Sequence, residues 1–135
     1  MAGGRNKKQR QRFQVWNYFY EPWAVGGDVW REVKAEVFVT GPYNLGKGYT
    51  CFIYQPSDDG CYVVEATTGA VIGGAATLEE ALKEARKDVE DGDAVVMARQ
   101  IEQSAAQVAN AHVAGEDEFN IHMAKNAKEQ WGSDE

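Results

Sequence analysis

Tyr49-Thr50-Cys51-Phe52-Ile53-Tyr54-Gln55-Pro56-Ser57-Asp58-Asp59-Gly60-Cys61-Tyr62-Val63-Val64-Glu65-Ala66 decides the fold class. Two runs rich in β-branched and aromatic residues flank a cluster of turn residues, Pro56 to Gly60, which is the pattern of an antiparallel hairpin. With that turn, Gln55 falls opposite Cys61 and Cys51 falls opposite Glu65. Strand alternation then places Cys51, Ile53, Cys61 and Val63 on one face, and Phe52, Tyr54, Tyr62 and Val64 on the other. Both faces are apolar, so both require cover. At about 3.3 Å per residue along a strand, the two cysteines stand too far apart to bond. They are expected to be buried free thiols in a reducing compartment.

Upstream, Val33-Lys34-Ala35-Glu36-Val37-Phe38-Val39 alternates as a half-buried strand does. Gly41 to Gly48 reads as a glycine-rich loop. Before it, Phe13 to Tyr20 has strand propensity, Pro22 is expected to end that strand, and Gly26-Gly27-Asp28 is a turn. Downstream, Thr67-Thr68-Gly69 turns the chain into a short strand beginning at Ala70-Val71-Ile72.

Thr77-Leu78-Glu79-Glu80 is a capping box that opens a helix, with Leu78, Ala81, Leu82, Ala85 and Val89 on one stripe. Lys83, Arg86 and Lys87 suit the helix dipole. Asp91-Gly92-Asp93 ends this helix and offers the next N-cap. A second helix is predicted from about Ala94 to Val113, with Ala94, Met97, Ala98, Ile101, Ala105, Val108 and His112 along one face. Phe119, Met123, Ala127 and Trp131 mark a third. The expected fold is α+β: a meander sheet of four to five antiparallel strands packed by two to three C-terminal helices. The helices are expected to cover one face and the aromatic N-terminal segment the other. The domain is expected over 13–115, with a basic arm at 1–12 and an acidic, amphipathic segment at 116–135.

The chain has 135 residues and a formal net charge of −7. Its sign is uneven. Arg5, Lys7, Lys8, Arg10 and Arg12 fall in the first twelve residues with no acid among them, and the rest holds nine basic against all 21 acidic residues. The body of the protein therefore repels phosphate, while the arm reads as an interaction tail. No apolar run approaches the ~18 residues of a membrane span, and no secretory signal follows the basic start, so a cytoplasmic location is expected.

Motifs for chemistry are sparse. Gly41-Pro42-Tyr43-Asn44-Leu45-Gly46-Lys47-Gly48 nearly matches a phosphate-binding loop. Gly48, however, stands where Ser or Thr would hold Mg²⁺, and a strand follows in place of a helix. His112 and His122 lack metal spacing and belong to separate helices. Glu65 interrupts an apolar strand and is read as facing solvent at a sheet edge rather than serving as a general acid. No catalytic residue, cofactor or metal ligand is assigned.

The leading expectation is a non-enzymatic protein-binding module, of the kind a phage or mobile element uses as an inhibitor. Acidic Glu84, Asp88, Glu90, Asp91 and Asp93 would imitate DNA phosphates and steer it to a basic, nucleic-acid-handling protein. Trp16, Tyr18, Tyr20, Trp23 and Trp131 would anchor the complex. The alternative is nucleic-acid binding, with Arg5, Lys7, Lys8, Arg10 and Arg12 on phosphates and the neighbouring aromatics on bases. A third reading places a small ligand or an enzyme site at the Gly41–Gly48 loop. The Ala94–His112 stripe could also form a homodimer seam, although packing on the protein's own sheet is the expectation there.

Overall fold

The computed structural model describes residues 12–25 and 29–132, without the side chains of Arg12, Tyr20 and Val25. The expected turn at residues 26–28 lies outside the described residues. The chain is α+β. β1 (Arg12–Val25), β2 (Val29–Gly46), β3 (Tyr49–Ser57), β4 (Gly60–Glu65) and β5 (Val71–Ala75) pair in sequence order as an antiparallel meander. Then follow α1 (Leu78–Asp91), α2 (Ala94–Asn110), the short β6 (His112–Val113) and α3 (Glu116–Trp131).

The β3–β4 register is the predicted one, with Cys51 opposite Glu65 and Tyr54 opposite Tyr62. The two faces separate as the alternation required, but each has its own helix. α1 lays Ala81, Leu82, Ala85 and Val89 over Cys51, Ile53, Cys61 and Val63. α3 lays Phe119, Met123 and Ala127 over Tyr54, Tyr62, Val64 and the β2 residues Val33, Ala35, Val37 and Val39. The aromatic N-terminal segment is therefore a strand of the sheet and not its cover. Burying Phe119 and Met123 completely contributes roughly 1.5–3 kcal/mol each before entropy is counted. Two tyrosine hydroxyls bind the same helix: Tyr54 donates to Asn120 Oδ1 at 2.6 Å and Tyr62 to the Met123 carbonyl at 2.9 Å.

Three boundaries differ from expectation. β1 continues through Pro22, because a register shift between Phe19 and Trp23 leaves the missing N–H outside the ladder. β2 runs on to Gly46, with irregular pairing between Thr40 and Tyr43, so most of the expected Gly41–Gly48 loop is strand. The second helix stops at Asn110. His112 and Val113 turn into β6, which pairs in parallel with Val33 and Lys34 of β2.

The sheet also curls. Tyr18 of β1 bridges Ala70 in parallel, bringing the outer edge of the first strand against the turn that leads into the last.

Candidate protein-binding surface

α1 and α2 meet at Gly92 and Asp93. α1 starts at Thr77, whose hydroxyl accepts from the Glu80 N–H at 3.2 Å as the capping box predicts. It has no basic residue in its last turn, and the hairpin between β2 and β3 supplies one. Lys47 donates to the Glu90 carbonyl at 2.9 Å, and Arg86 Nε donates to the Asn44 carbonyl at 3.1 Å. This ties the end of α1 to the hairpin tip. Asp93 then caps α2, accepting from Val95 N at 2.9 Å and Val96 N at 3.1 Å.

α2 spans 17 residues, and none of its side chains is buried. A helix that packs on its own domain normally buries one apolar stripe. Here Met97, Ile101, Ser104 and Val108, at helical spacing, are only half-buried. Val95 and Val96 are 66% and 50% exposed. The expected packing of this stripe is therefore only partial, with Met97 against the α1-side core and no side chain fully covered. Instead α2 borders a groove of about 710 Å³ that it shares with α1, the strand layer and the end of α3.

The groove walls are largely apolar, with Ala81, Ala85 and Val89 from α1 and Val96, Met97 and Ile101 from α2. The charged residues lining it are Glu21, Glu65, Glu84, Asp88 and Asp93; among the described residues no lysine, arginine or histidine lines it. Three of the five predicted acidic residues are thus brought together there. Glu90 lies beside Lys47 and Arg86 at the hairpin tip, and Asp91 lines neither place.

Glu65 is not at an edge. It sits in β4, between β3 and β5, and is 5% exposed. Its carboxylate accepts from Thr67 N at 3.0 Å, Thr68 N at 2.8 Å and both threonine hydroxyls at 2.6–2.8 Å. The turn two residues on thus consumes both oxygens, a signal already present in the Glu-x-Thr-Thr sequence.

The aromatic residues divide. Tyr18 and Trp23 are 2% and 8% exposed and belong to the interior, so they leave the predicted surface. The Tyr18 hydroxyl donates to Glu32; burial first, and then that carboxylate, push its pKa up. Trp23 packs against Phe119 and His122, with ring centroids 6.0 and 3.4 Å away. Trp131 is half-buried, its ring 5.2 Å from that of Tyr62. Trp16 remains outside at 43% exposure, with Lys34 Nζ 5.4 Å from its ring centre. Trp30, absent from the predicted surface, is 69% exposed. Arg5, Lys7, Lys8, Arg10 and the side chains of Arg12 and Tyr20 lie outside what is described.

Cys51 and Cys61 are free and buried against α1, and burial pushes the Cys51 thiol up to about 11. His112 pairs with Val33 in β6, while burial and then Lys125 lower His122 to about 4 against the opposing pull of Glu129. Among the described residues, no cluster of three or more His, Cys, Asp or Glu could hold a metal, and no helix is long and apolar enough to cross a membrane. No family model, curated protein or solved structure matches the chain.

Proposed function

We propose that this chain is a non-enzymatic protein-binding module that blocks a basic face of a partner protein. The observation that supports the reading is α2, a 17-residue helix with no fully buried side chain, whose apolar stripe is only partly covered by its own domain. A partly covered helix stripe next to concentrated carboxylates is chemistry for a partner: charge brings the two together and apolar contact holds them. Exposed Glu84, Asp88, Glu90 and Asp91 flank the helix and supply the steering field. The carboxylate best placed to suggest catalysis, Glu65, is engaged with its own turn.

The test is affinity capture with the immobilised full chain from nuclease-treated lysate, beside a Val95→Asp/Val96→Asp variant. A stoichiometric protein that the wild type retains, that leaves at raised salt and that the variant does not hold supports the reading. Equal retention by the variant, or loss of every captured protein after nuclease, overturns it.

A second reading rests on the outer face of the β1–β2 hairpin. There Lys34 of β2 lies over the ring of exposed Trp16 of β1, and the basic residues precede β1 in the sequence. That combination suits stacking and phosphate contact with a single-stranded nucleic acid. Loss of salt-sensitive oligonucleotide binding in Trp16→Ala would support it; wild-type binding in that variant would remove it.

A further inference from the structure

We infer that the groove between α1 and α2 receives a basic amphipathic segment of the partner protein, apolar on one side and carrying lysine or arginine on the other. This rests on the protein-binding reading and names the chemistry of its occupant. Three observations carry it. The groove is open, about 710 Å³, and α1 and α2 line it with apolar Ala81, Ala85, Val89, Val96, Met97 and Ile101 beside their polar residues. Among the described residues, every charged side chain lining it is acidic. The cations at the neighbouring hairpin tip are turned to backbone, Lys47 Nζ donating to the Glu90 carbonyl and Arg86 Nε to the Asn44 carbonyl.

Burial of apolar side chains alone would admit any hydrophobic segment. The carboxylates select among them, since an acidic segment would be repelled and a neutral one would gain nothing from Glu84 and Asp88. Glu65 takes no part, its oxygens being held by Thr67 and Thr68. On α2 the lining runs from Val96 to Ser104, about 12 Å of helix, which matches two to three turns of a docked helical segment. An apolar residue of that segment would contact Met97 and Ile101 while its cations reach Glu84 and Asp88.

The experiment uses the full chain and fluorescent peptides of about 14 residues read by anisotropy. The probe is an amphipathic Leu/Lys helix, with a Ser/Lys peptide of equal charge and a Leu/Gln peptide of equal apolarity as controls. The expected result is that the Leu/Lys peptide binds at least about tenfold tighter than either control, and weakens as salt rises. Glu84→Lys/Asp88→Lys is expected to weaken it about tenfold or more, and Ile101→Asn to weaken it without changing the salt dependence. Equal binding of the Ser/Lys and Leu/Lys peptides, or no effect of the double charge reversal, overturns the inference.

A full-length variant with Arg5, Lys7, Lys8 and Arg10 changed to Ser separates the partner from the chain's own basic residues. Unchanged peptide affinity keeps the partner as occupant, whereas affinity about tenfold higher overturns it in favour of self-occupancy. If capture of a partner survives Glu84→Lys/Asp88→Lys and fails in Val95→Asp/Val96→Asp, the groove assignment falls while the protein-binding reading stands.

Discussion

The backbone N–H of Tyr18 donates to the carbonyl of Gly69 at 2.8 Å, joining the outer edge of β1 to the turn that precedes β5. Gly69 adopts φ +84°, and a Cβ there would fall inside van der Waals contact with the Trp16 carbonyl. Sequence placed a turn at Thr67-Thr68-Gly69, but not the strand that packs against it.

Gly69→Ala is therefore expected to destabilise the fold by about 2–4 kcal/mol, from left-handed strain plus displacement of β1. Urea unfolding measures this. A loss confined to about 1 kcal/mol would mean that β1 moves away freely and the sheet does not depend on the closure.

Asn17 is fully buried opposite Ala35, and neither amide atom of its side chain has a hydrogen-bond partner among the described residues. An unpaired buried amide costs about 1–3 kcal/mol. Asn17→Val, which keeps strand propensity and removes the polar atoms, is expected to raise stability by roughly 1–2 kcal/mol. A decrease in the urea midpoint would show that the amide is satisfied in solution.

His122 makes stability depend on pH. Its folded pKa, about 4, lies below the ordinary 6.5, so between those values the unfolded chain binds a proton that the folded chain does not. Stability is therefore fully present above about pH 6.5 and falls as pH drops toward 4. The side chain is only partly buried, so the effect is discounted to about 1 kcal/mol. Lys125 beside it opposes protonation and Glu129 favours it. The melting temperature of the wild type is expected to fall further between pH 7 and pH 5 than that of His122→Gln. Parallel falls would assign the loss to the carboxylates instead.

Gly60 and Trp131 are expected to be coupled. A Cβ on Gly60 would meet the Trp131 ring, which closes the end of α3 over β4. Gly60→Ala should cost about 1–3 kcal/mol, and less in a Trp131→Ala background. A double-mutant cycle measures the difference. Strict additivity would place the Trp131 ring elsewhere.

How much could be read beforehand follows from how local each signal is. The Cys51–Glu65 register needed only a turn position and alternation. The Thr77 cap and the Phe119–Met123–Ala127 stripe needed only helical spacing. Burial of Glu65 was misread because an acid among valines was weighed against water rather than against the amides of the next turn. β1 passing Pro22 and β2 passing Pro42 depend on irregular pairing with a neighbouring strand, which no single-strand pattern records. The α2 stripe was visible, but periodicity reports that a face exists and not what it meets.

That last difference gives a direct test of α2. Apolar residues of α2 that stand exposed should be replaceable at little cost. Val95→Lys is expected to change stability by no more than about 0.5 kcal/mol. Met123→Ala, emptying a site beneath α3, should cost about 2–5 kcal/mol. Both are read from urea midpoints at constant m-value. Ile101→Asn should lie close to Val95→Lys, because Ile101 is only half-buried at the groove wall. If Ile101→Asn instead costs as much as Met123→Ala, the stripe is packed against the sheet in solution, and the groove that α2 borders is closed to any partner.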